Sequence, residues 1–78
     1  MTPPNRVTFY TRPGCHLCDD ARAVLEAEGV DYDEIDIECD DTLFKRYLER
    51  IPVTAIDGQD AFEFFLDPVA LRRALVTS

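Results

Sequence analysis

The sequence is poor in basic residues. Its 78 residues include 8 Lys and Arg against 16 Asp and Glu, which gives a formal net charge of −8 at pH 7. A protein that binds nucleic acid or an anionic membrane needs a basic surface that displaces counterions. The charge balance therefore argues against both as partners.

Long apolar runs are also lacking. No stretch approaches the roughly 20 apolar residues that span a bilayer. Residues 1–6, Met-Thr-Pro-Pro-Asn-Arg, have none of the apolar core of a secretory signal peptide. We therefore expect a cytoplasmic protein whose thiols face a reducing compartment.

Cysteine is scarce, with three residues at positions 15, 18 and 39. Three are too few for a disulfide scaffold, and a Cys15–Cys18 bridge would close too short a loop to stabilise a fold. A close pair of this kind indicates redox chemistry or metal binding. A closed zinc site takes four ligands. Only Cys39 and His16 remain as soft candidates, so we predict no metal site, with a cluster shared between two chains as the alternative.

Few glycines and prolines and 46% apolar residues indicate one small globular domain over residues 1–78. Hydrophobic periodicity and turn residues divide it into seven elements. Gln59-Asp60 is expected to lengthen the loop of the Asp57-Gly58 hairpin. The predicted elements are a strand over 6–11, a helix over 15–28, a strand over 30–37, a short helix from 40–42 that ends before Pro52, strands over 53–56 and 61–65, and a last helix that opens at Asp67-Pro68.

This order, β-α-β-α-β-β-α, predicts a two-layer α/β architecture. The first strand, helix and second strand form a βαβ unit, so the two strands should be parallel. The cysteine pair follows the first strand and opens its helix. Functional sites collect at that edge of an open α/β sheet.

The spacing of the pair has a chemical consequence. A helix that starts at or just before Cys15 places Cys15 and Cys18 on one face. Cys15 would then lie at the helix N-terminus, where the dipole favours a thiolate. Cys18, one turn in and less exposed, can attack a mixed disulfide on Cys15. A protonated His16 would favour the thiolate further, whereas the neighbouring Asp19 and Asp20 would oppose it.

The segments Phe9-Tyr10-Thr11-Arg12-Pro13-Gly14-Cys15-His16-Leu17-Cys18 and Arg50-Ile51-Pro52-Val53, with the Asp57-Gly58 hairpin, resemble the thioredoxin-fold superfamily and, within it, small bacterial glutaredoxin-like proteins. The resemblance implies a four-stranded mixed sheet in the order 2-1-3-4. It also implies that the first and third helices cover one face of the sheet and the second helix covers the other.

The resemblance implies site residues as well. Cys15 matches the attacking thiol and Cys18 the resolving thiol. Pro52 matches a cis-proline, and the backbone of Ile51 before it would pair with an extended substrate. Arg12 falls where glutaredoxins often carry a basic residue near a glutathione carboxylate.

Three features depart from the family pattern. His16 and Leu17 replace the Pro-Tyr that usually separates the cysteines, so these two side chains would face the substrate. Phe64-Phe65-Leu66-Asp67 stands where glutaredoxins have a glutathione-holding Gly-Gly-x-Asp segment. The tryptophan that precedes the pair in thioredoxins is missing, since the sequence has none.

The sequence therefore predicts a monomeric thiol–disulfide oxidoreductase without a bound cofactor. Its substrate would be a disulfide-containing protein or a glutathione mixed disulfide. Its electron donor would be a reductase or glutathione as a co-substrate. The alternative is a non-catalytic module that binds a partner protein, a metal or an iron–sulfur centre through the same surface. Cys39 is an incidental small residue or, alternatively, a regulatory or intermolecular thiol.

Overall fold

The computed structural model describes residues 6–76. It contains the predicted order of strands and helices, with one additional 3₁₀ turn between the second strand and the second helix. The elements are β1 (Val7–Thr11), α1 (His16–Ala27), β2 (Tyr32–Asp36), a 3₁₀ turn (Ile37–Cys39), α2 (Asp41–Tyr47), β3 (Val53–Ile56), β4 (Gln59–Glu63) and α3 (Pro68–Val76).

The four strands form one mixed sheet in the order β2-β1-β3-β4. The β1 and β2 strands are parallel, whereas β3 is antiparallel to both β1 and β4. This confirms the α/β fold and the strand order that the resemblance implied. The predicted two layers are corrected to three, because helices cover both faces of the sheet. The strand order places β1, which carries the chain into the cysteine pair, inside the sheet.

The helices divide between the two faces of β1, whose successive side chains point to opposite sides. On one face, the Arg22 guanidinium of α1 lies 5.9 Å from the centroid of the Phe9 ring. On the other, Tyr10 stacks on Tyr47 of α2 with ring centroids 4.4 Å apart. Arg72 of α3 forms an ion pair with Glu28 at the end of α1, so α1 and α3 lie on the same side.

The core lies between the sheet and the helices. Full burial of a large apolar side chain contributes about 1.5–3 kcal/mol. Cys18 belongs to the core, so one of the two reactive thiols is also a packing residue. The other buried members are Val7, Phe9, Ala21, Leu25, Ile37, Tyr47, Ile51, Val53, Leu66 and Leu71.

The strand limits differ from the prediction most clearly in β2 and β4. The β2 strand stops at Asp36 because the Asp36 carboxylate accepts the Glu38 N–H at 2.9 Å and opens the 3₁₀ turn, which removes Ile37 from the strand. The β4 strand begins at Gln59 and ends at Glu63, so the expected strand over 61–65 was displaced.

The hairpin geometry explains the displacement of β4. Asp57 and Gly58 have φ values of 54° and 83°. Two left-handed residues make a complete two-residue turn, so the strand resumes immediately at Gln59 and the loop is not lengthened. Phe64 also adopts a left-handed φ of 62°, which ends the strand.

Across residues 6–76, none of the helices combines the length and apolarity that membrane crossing requires.

Candidate active site

Cys15 is the N-cap of α1. Its backbone is extended, and its sulfur accepts the backbone N–H of Cys18 at 3.2 Å. The preceding Gly14 has a φ of 78°, a left-handed conformation in which a side chain would be strained. The Pro13-Gly14 turn therefore places Cys15 at the start of the helix, where the first backbone N–H groups lack helical partners. The helix begins at His16, one residue after the predicted start at Cys15, and the Cys15 sulfur accepts one of those N–H groups.

Cys18 occupies a different environment from Cys15. It is 1% exposed, whereas Cys15 is partly exposed, and both are free thiols. Burial raises the pKa of the Cys18 thiol, and its hydrogen bond with Cys15 raises that pKa further. The Thr11 hydroxyl and the Arg12 backbone act in the opposite direction on the Cys18 pKa because they favour the thiolate. The pair thus combines an accessible sulfur at a helix N-terminus with a buried sulfur held as a thiol.

The residues between and just after the cysteines lie in the first turn of α1. His16 is exposed and Leu17 is half-buried. Asp19, expected to oppose a thiolate, forms an ion pair with Arg22 at 2.8 Å. Arg22 also binds Glu34 of β2 at 2.8 Å. Sequence reasoning missed this pairing, although the i, i+3 spacing of Asp19 and Arg22 was a usable signal.

Pro52 lies beside the cysteine loop, and the Ile51–Pro52 bond is cis. Val53 pairs with Tyr10, so Pro52 is next to Thr11 at the sheet edge where the cysteine loop begins. Ile51 and Pro52 are both buried. The Ile51 N–H donates to the Tyr47 carbonyl at 3.0 Å. The backbone group of Ile51 that remains for pairing with a substrate is therefore its carbonyl.

Arg12 is engaged by an acidic partner. Its Nε donates to Glu38 at 3.0 Å, and its guanidinium lies 5.7 Å from the centroid of the Phe44 ring. These three residues and Asp41 line an open groove of about 380 Å³. The residue that the resemblance assigns to a glutathione carboxylate thus already binds a carboxylate of this chain.

The segment that replaces the glutathione-holding glycines is largely apolar and exposed. Phe65 is 75% exposed and Phe64 is 43% exposed. Phe64 is tied to the proline because its N–H donates to the Pro52 carbonyl at 2.9 Å. The Asp67 carboxylate accepts the Val69 N–H at 3.0 Å, which is the role of a helix cap at the start of α3.

Metal ligands do not converge within the part of the chain that the structure describes. Over residues 6–76, no three His, Cys, Asp or Glu side chains come together as a candidate metal site. Cys39 is exposed at the end of the 3₁₀ turn. The cysteine pair therefore has no third ligand beside it among these residues.

A cysteine pair at the start of α1, a cis-proline before β3 and a 2-1-3-4 sheet together define a thioredoxin-fold protein of the glutaredoxin-like class. The chain belongs to the family of glutaredoxin-like domains (DUF836), whose family model matches residues 6–76. The match covers every strand and helix described above.

Solved structures agree with this assignment. Protein XcR50 of X. campestris superimposes with a TM-score of 0.81 at 29% identity, over 92% of this chain and 97% of that one. The glutaredoxin-like protein NrdH-redoxin of Escherichia coli gives a TM-score of 0.69 at 22% identity, over 87% and 92% of the two chains. At that identity the second likeness shows the fold alone.

One curated protein shares a shorter region. The gene 56 protein of Mycobacterium phage L5 is 48% identical over 31 residues. That region is 40% of this chain and 30% of the phage protein, so the match spans less than a third of the relative's length.

Proposed function

We propose that the protein is a dithiol–disulfide oxidoreductase in which Cys15 attacks a substrate disulfide and Cys18 resolves the product. The observation that carries the proposal is the 3.2 Å hydrogen bond from the Cys18 N–H to the Cys15 sulfur at the start of α1. An N–H donor and a helix N-terminus favour negative charge on that sulfur, and the thiolate is the nucleophile in disulfide exchange.

In the first step, the Cys15 thiolate attacks one sulfur of the substrate disulfide. A bond forms between that sulfur and Cys15, and the other substrate sulfur leaves as a thiolate that takes up a proton. Cys15 suits this step because its side chain is partly exposed, whereas Cys18 is 1% exposed.

In the second step, Cys18 loses its proton and attacks the Cys15 sulfur. The Cys15–Cys18 disulfide forms, the mixed disulfide breaks, and the remaining substrate thiolate leaves and is protonated. The substrate gains two electrons and the cysteine pair loses two. Burial raises the pKa of the Cys18 thiol, which favours its protonated form while Cys15 makes the first attack.

We propose a disulfide-containing protein as the substrate, which lies against His16, Leu17 and the cis-proline loop. Extended chains pair with exposed backbone groups next to such sites. The free partner offered by the loop would be the Ile51 carbonyl, since the Ile51 N–H is bonded to Tyr47. Exposed Phe64, whose N–H is bonded to Pro52, and the exposed Phe65 that follows it favour a polypeptide over glutathione alone, because they add apolar contact area.

Reduction of a disulfide-bonded model protein such as insulin tests the proposal. The comparison uses the parent chain, Cys15→Ser and Cys18→Ser, with Cys39→Ser as the matched control at a cysteine outside the pair. We expect both pair variants to lose turnover and the control to keep it. If the two pair variants reduce insulin as fast as the parent, the protein is a binding module and the proposal fails.

Two recycling assays then distinguish the electron donors. The oxidised protein is given NADPH with either glutathione and glutathione reductase or thioredoxin reductase. Turnover with glutathione would identify it as the co-substrate, with Arg12 as the first residue to examine. Turnover only with thioredoxin reductase would indicate a reductase-dependent protein.

A further inference from the structure

Thr11 is an unusual residue at the end of β1. It is 4% exposed and lies on the same strand face as the buried Val7 and Phe9. Its hydroxyl oxygen is buried without a hydrogen-bond partner, and no other side-chain oxygen or nitrogen within residues 6–76 shares that condition. A buried polar atom left unpaired destabilises the folded state, so packing alone does not explain a hydroxyl at this position.

A packing role does not require the hydroxyl. Valine has nearly the same shape and an equally good preference for strands, and it would leave nothing unpaired. The hydroxyl therefore costs stability in the resting protein without improving the contact with neighbouring core residues.

The group on which this hydroxyl acts is the Cys18 thiol, which is itself 1% exposed in the first turn of α1. The side chain of Thr11, the last residue of β1, and the backbone N–H of Arg12, the residue after it, favour the thiolate form of Cys18. A neutral thiol is a weak acceptor, whereas a thiolate is a strong one. Ionisation of Cys18 would therefore offer the Thr11 hydroxyl the hydrogen-bond partner that it lacks in the resting protein.

We propose that Thr11 is a positioning residue for the second step, in which its hydroxyl donates a hydrogen bond to the Cys18 thiolate as that thiolate attacks Cys15. The inference rests on the proposed dithiol function and assigns a residue to its resolving step. The Cys18 proton passes to solvent, the Cys15–Cys18 bond forms, and the substrate thiolate leaves. Thr11 keeps its own proton throughout.

Few other groups compete with Thr11 for this role. From α1, Cys15 is the titratable group that acts on Cys18, by hydrogen bond and by charge. From β1 and the residue that follows it, the groups that act on Cys18 are the Thr11 side chain and the Arg12 backbone. The nearby Asp19 carboxylate is paired with Arg22. Among the described groups that act on Cys18, the Thr11 hydroxyl is thus the one side-chain donor that favours the Cys18 thiolate.

The test follows thiol release from a chromogenic aromatic disulfide in a stopped-flow instrument. Cys39→Ser is the parent because the exposed Cys39 would also react. Attack by Cys15 releases one coloured thiolate, and resolution by Cys18 releases the second. We expect Thr11→Val to slow the second phase about tenfold, as for loss of a hydrogen bond to a charged group, and to leave the first phase unchanged.

Two matched variants separate chemistry from packing. Thr11→Ser keeps the hydroxyl and should retain the parent rate of the second phase. Thr54→Val makes the same change at the other buried threonine, 1% exposed on β3, and should also retain it. Thr11→Val should melt at the same or a higher temperature than the parent, because it removes an unpaired polar atom. Should Thr11→Val not fold, Thr11→Ala replaces it.

The pH profile gives a second readout. With Thr11→Val, the pH midpoint of the second phase should move upward because the Cys18 thiolate has lost a donor. An unchanged second phase and midpoint in Thr11→Val would overturn the inference while leaving the proposed function intact. Absence of both phases in the parent would instead overturn the proposed function.

Discussion

Arg12 and Glu38 meet through a single carboxylate oxygen. The Nε and one terminal nitrogen of Arg12 each lie 3.0 Å from Oε2 of Glu38. The pair joins the loop that leads to Cys15 with the 3₁₀ turn after β2. A substrate carboxylate that uses Arg12 must therefore compete with Glu38 for the same donors.

This competition predicts the effect of removing Glu38. If glutathione binds through Arg12, Glu38→Gln should raise glutathione-dependent turnover about two- to fivefold, which is the range expected for release of an exposed ion pair. Arg12→Gln should lower the same rate. The measurement is the recycling assay with glutathione reductase. Asp33→Asn, which removes a negative charge on β2 outside the groove, controls for net charge.

An unchanged rate in both variants would exclude Arg12 from glutathione binding. If neither Glu38→Gln nor Arg12→Gln changes the glutathione-dependent rate, Arg12 has no contact with glutathione. The contacts of the Arg12 side chain would then be those with Glu38 and Phe44.

Substitution of Gly58 in the Asp57-Gly58 hairpin should change stability through the backbone alone, without any effect on side-chain packing. Gly58 has a φ of 83°, and a Cβ added there would meet no atom within 4 Å. Gly58→Ala should therefore lower the free energy of unfolding by about 1 kcal/mol through backbone strain alone. Gly58→Asn should lower it less, because asparagine tolerates left-handed φ. Denaturant titration measures both, and equal stability of Gly58→Ala and the parent would contradict the turn geometry.

The raised pKa of the Tyr47 hydroxyl predicts that the fold loses stability at alkaline pH. Burial, followed by the 3.0 Å hydrogen bond that its hydroxyl donates to Asp60, raises the pKa of Tyr47 from 10.0 to about 12. The folded state thus holds the proton more tightly than the unfolded state. The resulting stability is fully present below pH 10 and is lost as the pH rises through about 12.

The variant Tyr47→Phe checks this prediction by thermal unfolding at several pH values. At neutral pH it should lower the free energy of unfolding by about 1 kcal/mol, the usual contribution of one hydrogen bond. Its stability should also fall less steeply than that of the parent over the alkaline range. An equally steep fall in both proteins would show that another group controls the alkaline transition.

Much of the fold was predictable because local signals and core pattern agree. The β1 strand is a short run of β-branched and aromatic residues, and Leu25 and Ala21 mark the buried stripe of α1. The limits of β2 and β4 were not predictable in the same way. Whether Asp36 continues a strand or caps a turn, and whether Gln59 extends a loop or begins a strand, depends on backbone geometry that hydrophobic pattern does not encode.

The site shows the same division. The cysteine spacing and the helix start follow from the sequence, and the Cys15 cap lies where they predict. The Arg12 side chain binds Glu38, which is 26 residues away in the sequence. The Thr11 hydroxyl is buried only in the folded chain. Long-range contacts of this kind come from tertiary packing, so residue spacing in the sequence does not predict them.

The most direct measurement asks which sulfur carries the mixed disulfide. In the Cys39→Ser background, Cys18→Ser and Cys15→Ser are each treated with a disulfide substrate, and the adduct is located by peptide mass spectrometry. The account predicts a stable adduct on Cys15 in Cys18→Ser, and little or none on the buried Cys18 in Cys15→Ser. Rapid adduct formation on Cys18, with Cys15 unmodified, would contradict it.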